Sequence, residues 1–228
     1  MAGVAEMLMK GDPGTKRVYL IRHGSTALNS EDGGGDRIRG WKDVPLSEKG
    51  IKQAEKLGTS LKDSGISVLY HSPFSRATDT ARAISETTKA PLVPTDKLKP
   101  WNMGVLTGQE SKDVHPIMRE YVVDKPDTPI PEGESFNSFK SRTMDGIQEI
   151  LQKTNGELPG LVTHHRVERL VKSWIKNGQP PDGQLDMDEM LKHGSGTGSA
   201  EIVRLNQQNA GNSGNNPELV RYLLNATR

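Results

Sequence analysis

The residues best suited to chemistry stand where apolar runs end. Arg22-His23-Gly24 closes the run Arg17-Val18-Tyr19-Leu20-Ile21. Ser72-Pro73-Phe74-Ser75-Arg76 follows the run from Ile66 to Tyr70. His164-His165-Arg166 follows the run from Leu158 to Thr163. Guanidinium groups bind phosphate as planar, permanently charged forks. A neutral imidazole is a nucleophile at phosphorus, and the backbone N–H groups of a glycine turn or a helix start add anion donors. Arg22, His23, Arg76 and His164 therefore form a group fit to hold and attack a phosphoester, on the condition that three strand ends meet. Singly, each has a plainer reading. His71, His115 and His193 sit in polar or loop contexts and are read as non-catalytic. Arg76 opens a predicted helix, where the macrodipole disfavours a cation unless an anion is bound.

The elements that would carry these residues are legible from pattern. Residues 17–21, 66–70 and 158–163 read as buried strands, and 200–205 and 219–224 as two last ones. Ser47 is placed to cap a helix with Ile51, Ala54, Leu57 and Leu61 on its inner stripe and Gly65 at its stop. A second helix over 75–89 carries Ala77, Ala81 and Ile84. Residues 91–98 read as extended because two prolines exclude a helix interior. A short helix is predicted over 111–121. Ser135 caps one whose stripe is Phe136, Phe139, Ile147, Ile150 and Leu151, and Val167, Leu170, Val171, Trp174 and Ile175 mark another. A last short helix falls near 185–192, and the polar stretch 206–217 reads as a mobile hairpin loop. Strands alternating with helices predict an α/β fold, a three-layer, doubly wound, mostly parallel sheet with helices on both faces. In such sheets ligands sit beyond the carboxyl ends of the strands, where Arg22, His23, Arg76 and His164 lie.

Composition narrows the classes. The chain has 228 residues with 30 Lys plus Arg against 29 Asp plus Glu, so no global field draws it to nucleic acid or an anionic membrane. Cysteine is absent, which excludes disulfides, thiol catalysis and thiolate metal sites. No stretch approaches the ~20 apolar residues that span a bilayer, and Met1 to Gly14 shows no signal-peptide pattern. These features predict a cytoplasmic protein with a loose tail over residues 1–15 and a single domain over 16–228. Gly33-Gly34-Gly35 lacks the Lys-Ser/Thr ending of a phosphate loop and reads as a plain loop or lid. Trp41 and Trp101 are read as packing residues, with a place at the rim of the pocket as the alternative.

The ordered motifs resemble the histidine phosphatase superfamily, the phosphoglycerate mutase-like proteins. Arg22-His23-Gly24 with Thr26 and Asn29 is similar to the family signature. Gly40-Trp41 with Asp43-Val44-Pro45-Leu46-Ser47 and Gly50 resembles its loop and first-helix entry. Ser72-Pro73 with Arg76-Ala77 and Thr80-Ala81, Gly133-Glu134-Ser135 with Arg142, and Val162-Thr163-His164 continue the resemblance to about residue 175. It implies that His23 becomes a transient phosphohistidine, that Arg22 and Arg76 clamp the phosphoryl oxygens, and that His164 donates a hydrogen bond. It further implies a substrate-binding role for Gly24, Thr26, Asn29, Arg39 and Gly40, a small phosphoester or phosphorylated substrate, and neither metal nor cofactor. Arg142 reads equally as a site residue or as half of an ion pair. Because strand neighbours point to opposite faces, His164 and His165 are not expected to share a metal ion.

Two departures stand out. Where the family carries an acidic residue after a leucine, the segment Leu98-Lys99-Pro100 has proline, which transfers no proton. Glu110, Asp113, Glu134 and Asp36 are the replacement candidates. The glycine usual after the second histidine is His165, which would narrow the pocket or add a phosphate contact. The resemblance implies a metal-independent phosphomonoester hydrolase. The alternatives are a mutase-type phosphoryl transferase and a phospho-ligand binding protein with impaired turnover. The family's mutases carry a longer stretch than the 28 residues between Gly104 and Gly133, which favours hydrolysis.

Overall fold

The computed structural model describes residues 15–29, 36–154, 156–192, 196–206 and the backbone of 223–224. The predicted tail up to residue 14, the triple-glycine segment, His193 and most of the predicted hairpin after residue 206 lie outside the described residues. Among the described residues one sheet holds six strands in the order β3-β2-β4-β1-β5-β6. These are β1 (Thr15–Arg22), β2 (Val68–His71), β3 (Leu92–Pro94), β4 (Pro159–Thr163), β5 (Ser199–Asn206) and β6 (Leu223–Leu224). The pairs β1/β4, β2/β4 and β2/β3 are parallel. β5 pairs antiparallel with β1, and β6 with β5, so the sheet is mixed.

Among the described residues six α-helices flank it: α1 (Glu48–Leu61), α2 (Ser75–Thr88), α3 (Ser111–Val123), α4 (Phe136–Lys153), α5 (His165–Lys176) and α6 (Met187–Leu191). Side-chain alternation in β1 sends Val18 and Leu20 into the core shared with α3, α4, α5 and α6. Tyr19 and Ile21 enter the core shared with α1 and α2. The middle of this strand, Val18 to Ile21, is buried on both faces and is therefore continuously apolar, as its sequence reads. Thr15 joins β1, so the strand takes in the last residue of the predicted tail.

Caps fall where the sequence puts them. The Ser47 hydroxyl accepts from Gly50 N and that of Ser135 from Ser138 N, and Gly65 ends the first run at φ +76°. Two expectations are corrected. Ile51 is 48% exposed, because Gly50 takes the buried place on α1: a Cβ there would lie 2.0 Å from the Ser25 carbonyl oxygen. Of the predicted extended segment 91–98 only Leu92–Pro94 is strand. A 3-10 turn over Asp96–Leu98 follows and buries Leu98.

Candidate active site

Parallel pairing joins the three strand ends. Arg22 lies opposite Thr163, and Val162 opposite His71, so the segments leaving β1, β4 and β2 emerge side by side. His23 N donates to Thr163 O at 3.1 Å, and Gly198 N donates to His23 O at 2.9 Å. The rings of His23 and His164 stand 5.1 Å apart at 62°. Arg76 Nε donates to His164 Nδ1 at 3.3 Å. All four predicted residues, Arg22, His23, Arg76 and His164, line one cleft of about 170 Å³ and are almost fully buried.

The hydrogen bonds set opposite tautomers on the two imidazoles. His23 Nδ1 lies 2.6 Å from the Gly24 carbonyl oxygen, which requires the proton on Nδ1 and leaves the Nε2 lone pair open. His164 Nδ1 accepts from Arg76, so its proton resides on Nε2. That nitrogen is buried, and among the described residues nothing hydrogen-bonds to it. Burial, then Arg76, Arg39 and Arg22, holds His23 well below the usual histidine range. Burial, then Arg76 and the other bases of the cleft, does the same to His164. Both rings are therefore neutral at neutral pH, one as acceptor and the other as donor.

Arg76 is anchored by the carbonyls of Lys42 at 3.0 Å and Gly40 at 3.3 Å. Three of its five N–H groups are thus engaged, and two remain for a ligand. Burial and the neighbouring Arg39 push it down to about 9. The cost of a cation in the first turn of α2 is eased by Asp43, which caps that turn from Ser75 N at 2.9 Å. Arg39 donates to the Leu28 carbonyl at 3.1 Å and pairs with Asp36 at 3.8 Å.

Of the residues given binding roles by resemblance, Asn29, Arg39, Gly40 and His165 line the cleft, and Gly24 and Thr26 do not. Thr26 is fully buried and holds Asn29, whose Oδ1 accepts from Thr26 N at 2.9 Å and Oγ1 at 3.0 Å. Gly24 is needed for packing: a Cβ would meet the Gly50 carbonyl oxygen at 2.3 Å. His164 and His165 both face the cleft, against the strand-alternation expectation, because β4 ends at Thr163 and α5 begins at His165. Their partners differ, since Arg169 Nε donates to His165 Nε2 at 3.3 Å. Among the described residues no group of three or more metal-binding side chains is assembled.

Pro100 forms part of the cleft wall, so the position that resemblance assigns to a carboxylate faces the site without one. Three candidate replacements lie off the cleft. Glu110 pairs with Lys112 at 2.8 Å and Arg37 at 3.6 Å. Asp113 is exposed. Glu134 pairs with Arg142 at 2.8 Å and accepts from Asn102 N at 2.8 Å. Asp36 alone of the four lines the cleft. Arg142 proves to be a staple behind the wall: it donates to the carbonyls of Asp96, Lys97, Lys99 and Pro100 at 3.0–3.2 Å. Trp101 packs on Phe139 and Phe136 while presenting an edge to the cleft. Trp41 donates to the Pro100 carbonyl at 2.9 Å.

The sequence reading missed Arg37, Arg166, Ser111 and His115 as lining residues. Arg166 carried the same signal as Arg76, a cation in the first turn of a helix. Ser111 and His115 carried none, since only the tertiary fold lays α3 over the strand ends.

Comparison with known proteins gives the family of the chain. The profile of the histidine phosphatase superfamily (branch 1) matches residues 18–206. The chain is 32% identical over 155 residues to a protein of Escherichia coli O1:K1 named "Probable phosphoglycerate mutase GpmB", covering 65% of this chain and 69% of that one. Bacillus stearothermophilus YhfR is 28% identical, with TM-score 0.67 over 82% of this chain and 90% of its own. The alpha-ribazole phosphatase from Shigella flexneri is 25% identical, with TM-score 0.66 over 84% and 92%.

Proposed function

The chain belongs to the histidine phosphatase superfamily, branch 1, whose members transfer phosphoryl groups through phosphohistidine, and from that premise we propose that it hydrolyses phosphomonoesters at His23. The observation that carries this reading is the opposed pair of imidazoles among buried arginines. His23 Nε2, its proton parked on the far nitrogen, attacks phosphorus in line and the ester P–O bond breaks. Arg22 and Arg76 hold the non-bridging oxygens, and the Nε2–H of His164 donates to one of them as charge builds. The leaving alkoxide departs with a proton from solvent, since the wall at Pro100 offers none. Water then attacks the phosphohistidine, the N–P bond breaks, and inorganic phosphate leaves with His23 neutral again. Arg142 acts as a positioning residue, fixing the carbonyls behind the Pro100 wall.

The reading is tested by phosphate release from 4-nitrophenyl phosphate and by acid-labile phosphate on the protein. Wild type releases phosphate and is labelled, while His23→Ala does neither. Release undiminished in His23→Ala overturns the assignment. The similarity to a probable phosphoglycerate mutase favours a second reading, mutase activity. Phosphoglycerate interconversion dependent on added bisphosphoglycerate would establish it. The short segment from Gly104 to Gly133 weighs against it. Those two glycines pack on one another, a Cβ on Gly104 falling 2.7 Å from Gly133 N, so the segment begins and ends at one point and covers the cleft with α3 alone.

A further inference from the structure

We propose that Asp43 is a positioning residue for phosphoryl transfer. Its side chain latches residues 40–43 to the first turn of α2, and the latched segment holds Arg76 against His164. The inference rests on the phosphoryl-site reading above and adds to it a residue that does not line the cleft.

Two neighbouring pairs of residues grip each other. Asp43 Oδ1 accepts from Ser75 N at 2.9 Å and from Ser75 Oγ at 2.7 Å. One residue along, Arg76 Nη1 donates to the Lys42 carbonyl at 3.0 Å, and Nη2 donates to the Gly40 carbonyl at 3.3 Å. The Lys42 carbonyl belongs to the planar peptide that joins Lys42 to Asp43. Fixing Asp43 therefore fixes the direction of that carbonyl, and with it the guanidinium that reaches it. Asp43 also supplies what α2 lacks. The N-cap of that helix, Phe74, makes no side-chain capping bond, and a carboxylate both satisfies a free N–H there and suits the positive end of the helix.

The grip passes inward. Nε of the same fork donates to His164 Nδ1 at 3.3 Å, which leaves the buried Nε2–H of His164 for the phosphoryl group. Asp43 is exposed, whereas Arg76 is almost fully buried, so a latch closed at the surface sets geometry at the base of the cleft. The far end of the segment is tied separately. Gly40 has φ +48°, a Cβ there would lie 2.6 Å from Thr107 Oγ1, and Trp41 donates to the Pro100 carbonyl at 2.9 Å. Asp43 ties the near end.

A latch and a bare charge have opposite consequences at His164. Burial, then Arg76, His23, Arg39 and Arg22, hold that ring well below the usual histidine range. Removing the Asp43 charge without moving the fork would push it lower still. Releasing the Arg76 fork lets it rise.

The test uses the full chain carrying Asp43→Ala or Asp43→Asn, with two readouts. One is kcat on 4-nitrophenyl phosphate. The other is the titration of the His164 ring in the ligand-free protein, followed by NMR of isotope-labelled histidine and assigned by the signal lost in His164→Gln. Asp43→Ala lowers kcat by up to about a hundredfold, the scale of a misplaced catalytic group, and moves the His164 midpoint upward. Asp43→Asn, whose Oδ1 still accepts from Ser75, keeps most of kcat and does not raise the midpoint. Unchanged kcat in Asp43→Ala overturns the latch while the hydrolase reading stands. So does a His164 midpoint that falls or stays in that variant, or an Asp43→Asn as impaired as Asp43→Ala. If wild type releases no phosphate the hydrolase reading fails, and the His164 titration still decides the latch.

Discussion

Replacing Pro100 by glutamate tests whether this site works without a proton donor. A positioned general acid contributes ~10²–10⁴ in rate, or ~2.7–5.5 kcal/mol of barrier. The backbone at 100 is held from both sides. Trp41 and Arg142 donate to its carbonyl at 2.9 and 3.2 Å, and the next residue, Trp101, is buried and donates to the Glu134 carbonyl at 2.9 Å. A glutamate side chain therefore leaves a fixed Cα on the cleft wall. Loosening the unfolded chain by removing proline costs about 0.4–1 kcal/mol, too little to unfold a clamped segment. Arg39 and Arg76 share that cleft and keep a new carboxylate ionised, so the gain is largest on the acid side and falls at the low end of the range. The assay is kcat for phosphomonoesters from nitrophenyl to alkyl leaving groups, at neutral and mildly acid pH. Wild type falls steeply as the leaving group becomes more basic. Pro100→Glu flattens that slope and raises alkyl phosphate hydrolysis about a hundredfold, with no gain on nitrophenyl esters. A flat slope in wild type refutes the reasoning, because a donor is then already present. Asp36, the carboxylate that lines the cleft among the described residues, would be that donor, and Asp36→Asn would steepen the slope.

Other outcomes follow from the same geometry. His23 and His164 are held well below 6.5 by burial and then by arginines, so the unfolded chain binds more protons than the folded one below that pH. Stability is full above about 6.5 and is lost as pH falls, by up to ~1.4 kcal/mol per pH unit for each ring, seen as a lower Tm that added phosphate restores. Activity, which needs neutral His23, persists into mildly acid pH, and a rate that halves near 6.5 contradicts this. Gly50→Ala drives a Cβ into the Ser25 carbonyl and lowers stability by about 1–3 kcal/mol, measured by urea unfolding. Arg142→Ala leaves the partly buried Glu134 carboxylate without its ion pair and removes four hydrogen bonds to carbonyls. It costs about 1–3 kcal/mol, less than a fully buried pair because both side chains touch solvent, and it lowers kcat on alkyl and aryl esters alike.

What the sequence determined by itself is local. Capping by Ser47 and Ser135, the stripes of α4 and α5 and the apolar runs of β1 and β4 depend on spacing within one turn or one strand, and pattern alone reports them. So did the chemistry at the strand ends, because Arg22-His23 and His164 each adjoin a buried run. Where neighbours distant in the chain decide, pattern is silent. Gly50 rather than Ile51 faces inward because Ser25 leaves no room for a side chain. Thr26 holds Asn29 rather than a ligand, and Glu134 is committed to Arg142. The parallel register of β1, β4 and β2 is what turns separate motifs into one cleft, and the packing of α3 and α5 adds His115 and Arg166 to it. Hydrogen bonds then assign each imidazole its tautomer, and mutual burial sets the arginines' charge balance. Those are sums over residues far apart in sequence, and only the folded chain carries them out.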